Sequence, residues 1–209
     1  MFETCKNTFD QIYLQNTWGD GDGSGGGSEP LFTVNMRHSL VKWMLDHDIH
    51  SLLDCSCGAA KWTAELISEA IIAIPDFKFM GIDVSTLAID RAKINLAKFD
   101  VELIQGDLSI DALPKGFDLI ICRDTFQHLS LDRIRACLAN LASSEARFIM
   151  IGGYIQGTNL INPVDGDSFP FNPQAPPFNL RANEIIDECH PNDGNLSKSL
   201  FVFTCEAIR

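Results

Sequence analysis

The chain has 209 residues, 45% of them hydrophobic, which is enough for one sizeable core, so a single domain over 1–209 is expected. A formal charge of −12 and a pI of about 4.7 repel phosphate backbones and anionic lipid surfaces, which counts against nucleic acid as a partner. No window approaches the roughly 18–20 apolar residues of a membrane span and no leader-like stretch is seen, so the expectation is a cytoplasmic protein without a membrane partner.

Along 1–18, Phe2, Phe9, Ile12, Tyr13 and Trp18 recur at irregular helical spacing, predicting an N-terminal helix or arm packed on the body. Residues 19–28, Gly-Asp-Gly-Asp-Gly-Ser-Gly-Gly-Gly-Ser, hold six glycines, two aspartates and two serines, a glycine-rich stretch open to two readings. One is a flexible linker; the other is a loop whose backbone N–H groups close around a ligand. A helix is expected at about 32–47, with Met36, Leu40 and Met44 on one face.

Short apolar runs predict strands at about 49–54, 78–83, 101–105, 117–122 and 147–152. Helical patterns fall between them. One covers about 60–73; a second, 86–98, has Ser85 as N-cap and Ala88, Ala92, Leu96 and Phe99 on one face; a third, 131–142, has Ser130 as N-cap before Leu131, Ile134, Leu138 and Leu141. Such alternation predicts an α/β fold: a doubly wound, mostly parallel sheet with helices on both faces.

Residues 154–180 carry Pro163, Pro170, Pro173, Pro176 and Pro177, so an irregular excursion is expected. Its Phe169, Phe171 and Phe178 favour a packed lid or an acceptor-side insert. A short helix at about 181–189 and a strand at 199–206 close the chain. No seventh strand is evident, and Phe169 to Asn172 is the candidate edge segment.

Seven cysteines are spread without metal-ligand spacing, and Cys55 and Cys57 form Cys-x-Cys, so reduced structural thiols and no metal site are expected. His38, His47, His50 and His190 likewise lack ligand spacing.

The chemistry gathers at strand ends, where doubly wound sheets bind ligands. Asp54, Ser56 and Gly58 follow the first strand, and little side chain separates that turn from a ligand. Asp83 and Val84 follow the second, where a carboxylate takes both hydroxyls of a ribose diol. Asp107 and Leu108 follow the third, placed for an exocyclic amine and a ring. After the fourth come Arg123, Asp124 and His128; Asp124 and His128 are four residues apart and are the candidate general bases. Arg123 is open to a cofactor carboxylate, an anionic acceptor or an ion pair with Asp124.

In this order the strand ends resemble those of the class I S-adenosylmethionine-dependent methyltransferases. The resemblance covers about 49–152 and implies that Asp54, Ser56 and Gly58 hold the methionine part of S-adenosylmethionine, Asp83 and Val84 the ribose, and Asp107 with Leu108 the adenine. The family's further turn glycines are Ser56 and Ala60 here. Trp18-Gly19, the stretch from Ser24 to Ser28, and Pro176-Pro177-Phe178-Asn179 resemble a bacterial-type subset, which implies that 1–31 is an arm and lid bringing Trp18 and Ser28 to the cofactor. The Pro-Pro-Phe lies after the fifth strand rather than the fourth, where amino-group methyltransferases of nucleobases carry theirs, so base methylation is disfavoured. The implied activity is methyl transfer to a small-molecule or saccharide hydroxyl. Alternatives are protein side-chain methylation and a non-catalytic binding protein on the same fold. A nicotinamide oxidoreductase needs a Gly-x-Gly-x-x-Gly turn that Ser56-Cys57-Gly58-Ala59-Ala60 does not provide.

Overall fold

The computed structural model describes residues 4–19, 21–159, 163–189 and 197–208. Phe2, Asp20 and His190 lie outside them. One seven-stranded sheet forms the centre, built from β1 (Ser51–Asp54), β2 (Lys78–Asp83), β3 (Glu102–Gln105), β4 (Leu119–Cys122), β5 (Phe148–Tyr154), β6 (Glu184–Asp187) and β7 (Lys198–Phe203). The order is β3-β2-β1-β4-β5-β7-β6; β7 alone runs antiparallel to its neighbours.

The central strands are apolar on both sides because helices cover both sides. Leu52, Leu119, Ile121, Met150, Leu200 and Val202 face α2 (Val34–Asp46), α3 (Lys61–Ala73) and α4 (Thr86–Asn95). The alternate residues Leu53, Ile120, Ile149, Ile151, Phe201 and Phe203 face α5 (Leu131–Ala142), with Phe9 and Ile12 of α1 (Lys6–Gln15) in the same cluster. Among the described residues no helix is long and apolar enough to cross a membrane.

Four expectations need correction. The segment 181–189 is not a helix: it supplies the missing strand, β6, whose Ile185 and Ile186 pair with Phe201 and Leu200. Asn183 N–H donates to the Val202 carbonyl at 2.8 Å, so the chain is drawn into the ladder before the strand begins. Phe169 to Asn172 forms no strand, and β7 ends at Phe203, followed by a single 3-10 turn at Cys205–Ile208. Ser85 caps α4 by accepting Ala88 N–H at 3.2 Å, but Ser130 makes no side-chain cap to α5; its own N–H goes to Asp165 Oδ1 at 2.8 Å.

The proline-rich insert is packed. Asn159 Nδ2 donates to the carbonyls of Asn172, Ala175 and Pro176, while Asn172 Nδ2 donates to those of Ile155 and Gly157, replacing a regular ladder with side-chain bonds. Phe171 is fully buried, edge-on to Phe126, Phe169 and Phe178 with ring centroids 5.4–6.2 Å apart. Phe171→Ala is expected to lower stability by about 3–5 kcal/mol, read from chemical denaturation; a loss below about 1 kcal/mol would show that the insert is not part of the cooperative fold.

Candidate functional site

Strand order reverses between β1 and β4, and there the carboxyl ends of the strands open on a pocket of about 770 Å³, its mouth included. The turn after β1 is set by Asp83 from the next strand. Asp83 Oδ2 accepts Gly58 N–H and Oδ1 accepts Ser85 N–H, each at 2.9 Å. Burial pushes the Asp83 carboxyl up to about 6, against those two hydrogen bonds.

Gly58 sits at φ +56°, and a Cβ there would lie 2.7 Å from Ser24 Oγ and 3.0 Å from the Tyr13 hydroxyl, so glycine is required twice over. Two residues on, Ala60 holds a left-handed conformation at φ +55°, which costs an alanine about 1–2 kcal/mol. The turn also presses on β2, since a Cβ at Gly81 would meet Cys57 Sγ at 3.0 Å.

Of the predicted site residues, Trp18, Ser28, Ser56, Gly58, Asp83, Val84, Asp107, Leu108, Arg123, Asp124 and His128 all line this one pocket. Asp54 does not. Only 1% exposed, it stands behind the wall and accepts Ser56 N–H at 3.3 Å, supporting the turn rather than facing the cavity. Burial raises its carboxyl to about 7.

Asp107 departs further from expectation. Its Oδ2 accepts from Thr4 Oγ1 at 3.1 Å, Cys5 N–H at 3.2 Å and Cys5 Sγ at 3.5 Å, and its Oδ1 accepts from Ser109 N–H and Oγ. The carboxylate thus anchors the start of α1, and these bonds hold its pKa below the usual range against burial. Its acceptor positions are taken by the chain itself and not left for an adenine amine. Arg133, which sequence reasoning missed, joins the same network through Ser109 Oγ and Asp165 Oδ2, both at 2.7 Å.

The glycine-rich segment is folded onto the pocket as a roof and is no free linker. Ser24 Oγ accepts Ala59 N–H at 2.9 Å and shares a 2.7 Å hydrogen bond with Tyr13. Arg91 and Asn95 of α4 hold the Asp22 carbonyl and carboxylate, and Asn95 also reaches the Ala59 carbonyl. Trp18 closes the next stretch, its ring 4.5 Å from that of His128. In the sequence Tyr13 reads only as an aromatic of the arm and Ser24 only as the start of the Ser24–Ser28 stretch, because nothing local marks either as a partner of the turn.

At the end of β4, Arg123 is not free to meet a ligand anion. Glu188 takes its Nε and Nη2 at 2.7–3.2 Å, and Nη1 donates to the Gly27 carbonyl at 3.0 Å. Asp124 is paired with Arg123 at 3.0 Å and Lys198 at 2.7 Å. Burial alone would raise its carboxyl; the two cations hold it far below the usual carboxylate range, which makes it a poor base. His128 Nδ1 lies 2.8 Å from the Asp167 carbonyl oxygen, and burial lowers the imidazole pKa below its usual 6.5. None of residues 154–180 that are described lines the pocket; the insert bears on it through Asp165 and Asp167, which hold Arg133 and His128.

The raised Asp54 pKa has a consequence for stability. A carboxyl that titrates near 7 when folded and near 3.8 when unfolded binds more protons in the folded state between those values, so its contribution falls as pH rises from 4 to 7. Asp54→Asn is therefore expected to gain stability relative to the parent over that interval, measured by urea denaturation at each pH without ligand. A difference that does not change with pH would contradict the buried, strained carboxylate.

The methyltransferase-domain family matches residues 52–144, from β1 to just past α5. No curated protein matches the chain in sequence. Among solved structures, the chain is similar to the magnesium protoporphyrin IX methyltransferase of Synechocystis PCC 6803 with bound S-adenosylmethionine, at 13% identity over 97% of each chain and a TM-score of 0.60. It is also similar to a TehB-like SAM-dependent methyltransferase from Corynebacterium glutamicum (18% identity, 95% of this chain and 98% of that one, TM-score 0.58). A third is the N-methyltransferase NodS from Bradyrhizobium japonicum (16%, 81% and 94%, TM-score 0.56). The matched segment carries the turn at Gly58, the acid at Asp83 and the β4 end, so residues 52–144 are a methyltransferase domain, set in a sheet with the strand order of the class I fold.

Proposed function

We propose that this chain transfers the methyl group of S-adenosylmethionine to a hydroxyl of a small, uncharged molecule, saccharides included, with His128 as the general base. The observation that carries the choice of base is the fixed imidazole. A carbonyl oxygen only accepts, so the 2.8 Å contact to Asp167 puts the proton on Nδ1 and leaves the lone pair on Nε2. Burial favours the neutral ring, and Trp18 covers it.

The surroundings suit a hydroxyl acceptor. Ser56 and Thr125 hydrogen-bond to each other at the pocket wall beside His128. The nearby cations, Arg123 and Lys198, are both ion-paired, so neither offers uncompensated charge to a phosphate. Together with the net charge of −12, that supports a neutral acceptor over nucleic acid.

The residues present fit the cofactor. Each Asp83 oxygen accepts one backbone N–H and retains a lone pair for one hydroxyl of a ribose diol. On this reading Val84 and Leu108, which line the same pocket, flank the ribose and adenine, and Ser56, Gly58, Ser28 and Trp18 are assigned to the methionine part. S-adenosylmethionine, when bound, supplies the activated methyl carbon. What the chain contributes is alignment of the acceptor and exclusion of water, worth roughly 7–11 kcal/mol of barrier for well-oriented partners, and a lone pair on His128 Nε2 to take the acceptor's proton as attack proceeds.

A non-catalytic binding protein is the second reading, favoured by the Asp107 carboxylate being taken by Thr4 and Cys5. Isothermal titration with S-adenosylmethionine and S-adenosylhomocysteine separates the two: binding of both with turnover on a panel of hydroxyl acceptors is expected, and binding without any turnover favours the rival. Asp83→Ala is expected to weaken cofactor binding by about 1.5–3 kcal/mol, as for a charged hydrogen-bond acceptor, and unchanged affinity would remove the ribose role. His128→Ala is expected to lower kcat by about 10²–10⁴ with cofactor affinity intact. In the parent, kcat should fall as pH drops through the depressed His128 pKa, since protonation consumes the Nε2 lone pair; a flat profile there would argue against the base.

A further inference from the structure

Glu188 lies on the loop after β6, far in sequence from the strand ends that form the pocket, and is only 1% exposed. Its carboxylate closes a ring of alternating charge. Glu188 meets Arg123 at 2.7 Å, Arg123 meets Asp124 at 3.0 Å, Asp124 meets Lys198 at 2.7 Å, and Lys198 returns to Glu188 at 3.9 Å. Two cations and two anions cancel, so the ring can be buried whole where any one member alone could not.

Geometry gives the members different tasks. Glu188 grips the Nε and Nη2 edge of the guanidinium, the bidentate arrangement that fixes its plane. Trp62 backs that plane, its ring centroid 5.2 Å from Arg123 Cζ. Only Nη1 remains to turn toward the glycine-rich segment, and it donates to the Gly27 carbonyl at 3.0 Å. The segment rests directly on the ring: a Cβ at Gly27 would lie 2.8 Å from Asp124 Oδ2 and 3.1 Å from Lys198 Nζ.

We infer that Glu188 is a positioning residue for methyl transfer: by orienting Arg123 it fixes the glycine-rich segment, residues 21–28, as the roof of the cofactor pocket. The inference rests on the proposed cofactor reading for its effect on catalysis, but not for its effect on the roof. Glu188 touches neither the pocket nor the reacting groups. Its hydrogen-bonded link to the segment runs through the Arg123 guanidinium to the Gly27 carbonyl.

The experiment compares the parent with Glu188→Gln and Gly27→Ala by hydrogen exchange and by steady-state kinetics. Gln keeps the shape of the side chain and removes its charge; the alanine methyl lifts the segment off an intact ring. In the ligand-free protein, amides of 21–28 are expected to exchange at least about tenfold faster in both variants, with α2 and β1 unchanged. With a working acceptor, KM for S-adenosylmethionine should rise about tenfold while kcat at saturation stays within about twofold. The double variant should be no worse than the more severe single one, because both break the same link. Unchanged exchange of 21–28 in Gly27→Ala and in folded Glu188→Gln overturns the inference, as does a kcat loss with KM unaltered. Should Glu188→Gln fail to fold, Gly27→Ala decides alone. Faster exchange with no cofactor binding in the parent keeps the anchor and removes the methyltransferase reading instead.

Discussion

Asp83 is the pivot of the molecule. A carboxylate buried at the end of a strand costs several kcal/mol unless its oxygens are hydrogen-bonded, and here the available donors are Gly58 N–H from the β1 turn and Ser85 N–H from the start of α4. Meeting that requirement ties two strand ends together and fixes where the turn after β1 runs. Gly58 and Ala60 are both left-handed, and the strain at Ala60 persists because Asp83 holds one side of the turn and Ser24 the other. Gly81 lets the turn approach β2 closely enough for the contact to form.

From that pivot outward, the pocket is built by satisfying buried polar groups one at a time. Asp107 is satisfied by the chain's own N-terminal residues, so the same act docks α1 over the adjacent part of the pocket. Ser24 satisfies Ala59 N–H and docks the glycine-rich segment. His128 is satisfied by the Asp167 carbonyl, which fixes its tautomer. Roof, wall and candidate base are therefore coupled through hydrogen bonds as well as through the packing of Phe9, Ile12 and Trp18, while the cysteines among them are spectators: burial raises Cys5 to about 12 and pushes Cys57 and Cys137 well up, which keeps them as thiols.

What could be read in the sequence is what local pattern encodes. Apolar runs such as Leu119-Ile120-Ile121-Cys122 mark buried strands, and acids follow them at the carboxyl ends, so the central strands, their helices and the strand-end residues of the pocket were legible. The edge strand was not. Glu184-Ile185-Ile186-Asp187 is four residues long, and its pairing depends on Phe201 and Leu200 rather than on its own pattern. Equally hidden was the use of each acid. Asp107 looks the same in sequence whether it meets a ligand amine or the N–H of Cys5, 102 positions away. Asp124 looks like a base until Lys198 is brought to 2.7 Å.

Strand direction explains how those distant charges arrive. In a sheet of parallel strands only carboxyl ends reach the ligand edge, so a chain segment that enters the sheet at that edge must run the other way. β7 does so: Lys198, its first residue, pairs with Tyr154 at the end of β5. β6 in turn is antiparallel to β7 and so leaves the sheet at the same edge, delivering Glu188 beside Lys198, whose carbonyl accepts Glu188 N–H at 3.0 Å. The one reversed strand thus places a cation and an anion against Arg123 and Asp124 with no insertion into the parallel core. The same hairpin that covers the sheet's far edge also balances the charge at its centre, which is why the last quarter of the chain, poor in recognisable motif, bears on the geometry of the pocket as directly as the motif residues do.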